Sequence, residues 1–293
     1  MKCKRCKKKA ITYLRNYRLA LCDNCYVKFY MDSLKRDIKR YEILKRSERI
    51  LACVSGGKDS LAMAYALKKL DYDIEVLYID LGIGNYSKNS KRIVEEFAST
   101  FDLNLNVVKL EDYGFRIEDV EFKKVCSVCG TAKRYIMNRF ARINGFDVVS
   151  TGHTAEDIIL FFIKNVLSGN MEFVQKLRPR IEGFDKFVTK SKPVFTKTEK
   201  ENALLLLSLN IPFVTENCPY APKDIWKEII YDIEYKKPGF KQNFIRNLVK
   251  LAKYVKYEEW KLKHCKICGE ISNSDICSFC KIVKRYSKVG TRD

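Results

Sequence analysis

The stretch Ile50-Leu51-Ala52-Cys53-Val54-Ser55-Gly56-Gly57-Lys58-Asp59-Ser60-Leu61 decides the fold. Residues 50–54 read as a short buried strand, two glycines permit a sharp turn, and residues 61–70 read as a helix. A glycine turn feeding a helix start presents free backbone N–H groups, so Ser55, Gly56, Gly57, Lys58, Asp59 and Ser60 form a candidate phosphate cradle. The loop is not a Walker A loop. Ala52 stands where that motif needs its first glycine, and Asp59 follows the lysine where it needs serine or threonine.

Outward from this loop, strand-like and helix-like runs alternate. Residues 74–80, 105–110 and 147–151 read as strands; 88–101, 132–144 and 155–167 read as helices. The pattern predicts βαβ units and an α/β fold with a doubly wound parallel sheet. Ligands of such sheets sit outside the carboxyl ends of the strands. Asp80 and Thr151-Gly152-His153 close two strands and are therefore candidates for the adenosine site. Asp157 lies one turn into the next helix, in reach of magnesium or a phosphate-bound water. His153 reads equally as a turn residue or a catalytic one. Beyond residue 179 the pattern weakens; 197–209 looks helical, and 224–234 and 240–257 look helical and basic.

Twelve cysteines stand against two histidines, so any metal site is mostly thiolate. Cys3, Cys6, Cys22 and Cys25 form one pair of C-x2-C motifs, and Cys265, Cys268, Cys277 and Cys280 another. Each set can close a tetrahedron around one zinc, and segments this short would take their folding energy from the metal. His264 reads as a flanking polar residue. A further pair, Cys126 and Cys129, precedes the 132–144 helix, with Lys133 and Arg134 one turn on, and Cys218 stands alone. By spacing, these three suit a redox pair, half a zinc site, a sulfur relay, or a 4Fe-4S cluster with one iron open. Cys53 reads as a small buried core residue.

Net charge is +20, from 56 basic and 36 acidic residues. Such self-repulsion implies a polyanionic partner, and nucleic acid fits better than membrane. Lys236, Lys237, Lys241, Arg246 and Lys250 are candidate phosphate contacts. The longest apolar runs, 158–163 and 203–207, are too short to span a bilayer. The opening Met-Lys-Cys-Lys-Arg-Cys has no secretory h-region, which predicts a cytoplasmic protein.

The hexapeptide 55–60 resembles the PP-loop of ATP pyrophosphatases, whose fold is adenine nucleotide alpha-hydrolase-like and whose members attack ATP at the α-phosphate. The order of ribbon, S-G-G-K-D-S, C-S-V-C-G, T-G-H-T-A-E-D, E-N-C-P-Y and ribbon is similar to the tRNA 2-thiouridine synthases. These include TtuA-type sulfurtransferases and cytoplasmic wobble-uridine thiolases. The resemblance implies Cys126, Cys129 and Cys218 around a 4Fe-4S cluster, zinc in both quartets, and Asp59, Lys133 and Asp157 acting around ATP and magnesium. It also implies tRNA as substrate, sulfide or a ubiquitin-like thiocarboxylate protein as sulfur donor, and a homodimer. The expected parts are an N-terminal zinc ribbon (1–30), a PP-loop catalytic domain (31–215), a basic helical region with the third cluster cysteine (216–260) and a C-terminal zinc ribbon (261–293). A cytidine thiolase, a lysidine-type ligase and a non-catalytic RNA-binding protein are the competing readings.

Overall fold

A computed structural model describes residues 1–222, 224–255 and 262–287. At the N-terminus, β1 (Thr12–Leu14) and β2 (Leu19–Leu21) pair antiparallel between the two cysteine pairs. Helix α1 (Asp23–Arg40) starts with Cys22 as its N-cap and runs on past residue 30. Its buried face, Tyr26, Tyr30, Leu34 and Ile38, follows the 3.6-residue period.

The central sheet starts with β3 (Ile50–Val54), followed by α2 (Lys58–Lys69), β4 (Ile74–Asp80), α3 (Gly84–Thr100) and β5 (Leu105–Lys109). Next come α4 (Val125–Ile143), β6 (Val148–Thr151) and α5 (Ala155–Leu167). A 3-10 turn, Met171–Leu177, leads to β7 (Arg180–Ile181) and β8 (Thr189–Ser191). The order is β5-β4-β3-β6-β8-β7; all neighbours are parallel except β7 with β8. The chain reverses direction across the sheet between β3 and β6. That switch point opens a crevice at their carboxyl ends. Residues of α2 and α3 cover the face of Ala52, Val76 and Val148, while Met137, Phe140 and Ala141 of α4 cover that of Leu51, Leu77 and Val149.

Two elements differ from the sequence reading in ways that matter. Helix α4 begins at Val125, so the Cys126–Cys129 pair lies within its first turns rather than ahead of it. Val125, Val128, Ala132 and Ile136 are all buried, and their helical spacing draws the cysteines into the helix. Strand β8 was not foreseen because Thr189-Lys190-Ser191 carries no apolar residue.

The remaining helices are α6 (Glu199–Ser208), α7 (Ile225–Lys236) and α8 (Phe240–Leu251). The expected helix 240–257 therefore ends at 251; residues 256–257 lie outside those described. Lys241 is no surface contact: it is buried, and its ammonium donates to Glu156 at 2.7 Å. A buried carboxylate requires a partner, and Lys241 is that partner.

In the C-terminal module, β9 (Lys263–His264) pairs with β10 (Ile271–Ser272), followed by α9 (Ser278–Tyr286). Phe279 stacks on Tyr135 of α4 with ring centroids 3.9 Å apart, and Glu270 receives Arg139 and Arg142 of the same helix. No helix among the described residues is long and apolar enough to cross a membrane.

Candidate active site

The loop between β3 and α2 owes its shape to Gly56 and to Ser60. Gly56 has φ +81°, and a Cβ there would meet Ser90 O and Val214 Cγ2 at 3.1 Å. Ser60 Oγ donates to Gly57 O at 3.0 Å and accepts from Ser55 N at 3.1 Å. Gly152, at the end of β6, presses on the start of α2; a Cβ would lie 2.7 Å from Ser60 N and Cα. The turn after β6 can approach the loop only because it carries glycine.

Beside the loop lies a cavity of about 350 Å³. Its polar rim includes Ser55, Gly57, Asp59, Ser60, Thr151, Gly152 and His153. Leu77, Ile79, Leu81 and Met137 supply an apolar wall, which suits a purine ring beside a phosphate cradle. Cys53 is half-buried: it packs against the cluster of Leu51, Leu77 and Val149 and also lines this cavity, and burial pushes its thiol up to about 12. His153 is on the wall, its Nδ1 2.8 Å from Thr151 Oγ1, and burial lowers its pKa.

Behind the rim runs a chain of ion pairs. Lys58 Nζ is 3.1 Å from Asp59 Oδ2 and 3.0 Å from Glu199 Oε2. Lys227 of α7 bridges Glu199 Oε1 at 2.6 Å and Asp157 Oδ1 at 3.2 Å. Burial raises Glu199, but Lys227 and Lys58 outweigh it and hold the carboxyl down to about 2. Asp59 goes the other way: burial raises it to about 6 against the pull of Lys58 and of Asn202, whose Nδ2 donates to Oδ1 at 2.9 Å. Asn202 Oδ1 in turn accepts from Tyr30 OH at 2.6 Å, so α1 reaches the loop through α6.

Several expected residues stand behind the cavity wall. Asp157 completes the capping box of α5, with Oδ2 accepting from Thr154 N at 3.0 Å and Thr154 Oγ1 at 3.1 Å. Asp80 Oδ1 accepts from Gly82 N at 2.9 Å, and its neighbours Ile79 and Leu81 face the cavity instead. Glu199, Lys227 and Asn202 were not singled out from the sequence. Lone polar residues on three different elements carry no spacing signal.

The central cysteines converge next to this cavity. Cys126 Sγ donates to Tyr220 O at 3.1 Å, which brings the 218–220 loop onto the start of α4. Cys129 and Cys218 pack against the same apolar cluster. Burial raises the Cys129 thiol, while a hydrogen bond and charge from Lys133 oppose it. Lys133 also lines the cavity, so one side chain touches both the cysteines and the nucleotide space.

The terminal quartets are drawn tighter. Within each, all four sulfurs lie within 4.8 Å of one another. Cys6 and Cys22 are 3.4 Å apart and Cys268 and Cys277 3.7 Å, close to the roughly 3.8 Å of a tetrahedron with Zn–S of about 2.3 Å. Burial raises Cys3 and Cys265, but backbone N–H groups outweigh it and hold both near 6, whereas burial and the neighbouring sulfurs push Cys25 up to about 12 and raise Cys277 and Cys280. His264 takes no part; its Nε2 meets Asp185 at 2.7 Å.

Residues 30–175 match the PP-loop domain model, and residues 2–27 match the N-terminal LIM domain of the 2-thiouridine synthetase TtuA. The tRNA-5-methyluridine(54) 2-sulfurtransferase of Pyrococcus horikoshii is 39% identical, over 96% of this chain and 93% of that one. The chain belongs to the family of PP-loop tRNA 2-sulfurtransferases. The Thermotoga maritima sulfurtransferase of the same name is 33% identical, over 98% of both chains. The U34-tRNA thiolase NcsA of Methanococcus maripaludis, solved with its [4Fe-4S] cluster, superposes with TM-score 0.80 at 26% identity, over 96% of this chain and 95% of that one. For this sulfurtransferase, the relatives agree with a PP-loop fold, a thiolating activity and cysteine sets suited to metal.

Proposed function

We propose that this sulfurtransferase converts a tRNA uridine to 2-thiouridine in two half-reactions at the loop of residues 55–60. In the first, uridine O2 attacks the α-phosphate of ATP; a P–O bond forms and pyrophosphate leaves. In the second, a sulfur nucleophile adds at C2 and the C–O bond to AMP breaks. The carbonyl oxygen alone leaves poorly, and adenylylation turns it into a phosphate ester.

What carries the reading is Lys133, which lies on the cavity wall and against Cys129. From there it neutralises charge growing on the α-phosphate and faces the thiols. Backbone N–H groups of Gly56, Gly57 and the α2 start hold the phosphates, with magnesium expected beside Asp59. Asp157 orients the site through Lys227. Cys126, Cys129 and Cys218 would hold a 4Fe-4S cluster, which supplies an iron position open to sulfur when bound. The fit rests on three thiolates from two segments with Lys133 and Arg134 beside them. The quartets fit zinc. A cytoplasmic homodimer taking sulfur from sulfide or a ubiquitin-like thiocarboxylate completes the reading.

The test is product analysis. Protein, tRNA, sulfide, magnesium and α-labelled ATP should yield labelled AMP, pyrophosphate and thiolated tRNA. ADP and phosphate as the only nucleotide products, or AMP formation that requires an amino acid, would overturn it.

A further inference from the structure

Lys58 is the one cation of the loop 55–60, and it is turned away from the cavity. Gly57, Asp59 and Ser60 on either side of it line that space, whereas Lys58 does not. Its ammonium rests instead on two carboxylates, Asp59 Oδ2 at 3.1 Å and Glu199 Oε2 at 3.0 Å. Burial lowers Lys58, but Asp59 and Glu199 outweigh it and raise it, so the side chain stays charged. Lys58 is also the first residue of α2, at the helix end that suits phosphate. One carboxylate, that of Asp59, separates its ammonium from the triphosphate space. The flexible carbon stem of a lysine can cross such a gap.

Glu199 decides whether Lys58 can leave. Its side chain is only 16% exposed. Two other carboxylates act on it: Asp59 of α2, and Glu156 of α5, which also accepts from Glu199 N at 3.1 Å. Lys241 already serves Glu156, at 2.7 Å. A carboxylate so placed cannot cheaply give up its last cation. Glu199, however, has two. Lys227 Nζ lies 2.6 Å from Oε1, while Lys58 holds Oε2. Tyr231, one turn further along α7, brings its phenol to the same carboxylate. Burial lowers Lys227, but Asp157 and Glu199 outweigh it, so this lysine stays charged as well. With Lys227 in place, Lys58 can exchange Glu199 for a phosphate and leave no bare carboxylate behind. Asp59 loses Lys58 in the same move but keeps Asn202 Nδ2 at 2.9 Å.

We propose that Lys227 is a positioning residue: it keeps Glu199 neutralised while Lys58 swings from Glu199 to the phosphates of ATP. This deepens the ATP reading above and rests on it.

The experiment titrates the metal-loaded full chain with magnesium-ATP, without tRNA, and records the melting temperature of each variant. Lys227→Met should bind ATP roughly tenfold more weakly or worse, because Lys58 is then the last cation on Glu199 and ATP must strip it away. Asp157 also loses a cation in this variant but keeps its two donors from Thr154. Lys227→Arg, which retains the charge, should bind within a few-fold of wild type. Glu199→Gln should bind at least as tightly as wild type, since an amide holds Lys58 less firmly. Joining Glu199→Gln to Lys227→Met should restore most of the affinity that Lys227→Met loses. That rescue separates the role from a structural one, because two packing defects would add. A double variant as weak as Lys227→Met, or weaker, overturns the proposal. So does weakened ATP binding in Glu199→Gln, which makes the pose held by Glu199 the one that meets the phosphates; this arm decides even if Lys227→Met fails to fold. Wild type that binds no ATP overturns the ATP reading and this inference together, whereas wild type that binds ATP beside an unrescued double variant overturns this inference alone.

Discussion

Asp59 is held in a conflict between burial and charge, and its side chain is only 22% exposed. Burial raises it from 3.8 to about 6, so folding disfavours its ionised form. The raised group favours the fold below its unfolded value, and that favour is lost as pH rises through about 6. At pH 8, Asp59→Asn should therefore be more stable than wild type, by roughly 2–3 kcal/mol from the size of the shift. The gap should close as pH falls and vanish below about 4, which denaturation across pH would read. AMP formation should be lost in the same variant at every pH, and in wild type it should fall as Asp59 protonates below about 6. Gly152 makes a second single-residue prediction. Its missing side chain lets β6 touch Ser60, and overpacking such a contact costs typically 1–3 kcal/mol. Gly152→Ala should weaken ATP binding while both metal quartets keep their metal, as titration with ATP and elemental analysis would reveal; unchanged ATP affinity would contradict this role for Gly152. At this scale the sequence disclosed motif residues and concealed relayed ones. Ser55–Ser60 are contiguous, so their chemistry is legible. Glu199, Lys227 and Asn202 act only because α6 and α7 fold back onto the loop, and Lys241 changes its apparent role once its burial against Glu156 is known.

Helix α4 carries most of the functional load, with Cys126, Cys129, Lys133 and Arg134 within its first three turns. The C-terminal module is its brace, since Phe279, Cys265, Cys277 and Cys280 share one apolar cluster with Val125, Val128, Ala132 and Ile136. The sequence reading gives that module a zinc; the packing gives it a second duty. Phe279 is 4% exposed, and truncating such a ring costs about 3–5 kcal/mol. Phe279→Ala should leave ATP affinity near wild type but reduce thiolation by tenfold or more and raise hydrogen exchange at the start of α4. Full thiolation with a mobile ribbon would mean that the brace is not needed. Elements announced themselves when they carried a run of apolar residues, as β4 and α5 did. Strand β8 did not, because a strand whose middle residue is a half-buried lysine inverts the usual alternation.

At the scale of the whole molecule, the fold brings Cys218 to Cys126 and Cys129 across more than eighty residues of sequence, and both ribbons are tied to the loop between them. The N-terminal module reaches Asp59 through Tyr30 and Asn202; the C-terminal one reaches Lys133 through α4. The three central thiols are spread more widely than the quartets. Among the described residues, only the quartets have all their sulfurs within 4.8 Å of one another. One zinc needs four sulfurs close together, whereas thiolates on a cubane each take a different iron and stand further apart. The expected outcome is therefore a division by chemistry. After aerobic purification, elemental analysis should find two zinc ions per chain and little iron. Anaerobic reconstitution should add about four irons, with broad visible absorption. Cys126→Ser, Cys129→Ser and Cys218→Ser should each lower iron and thiolation together while leaving zinc and ATP affinity intact. A sulfur relay predicts otherwise: full thiolation without iron, lost only when the one persulfide-bearing cysteine is changed. Because Cys126 and Cys218 come from different segments joined through Tyr220, loss of iron in all three variants would also confirm the tertiary contact that unites them.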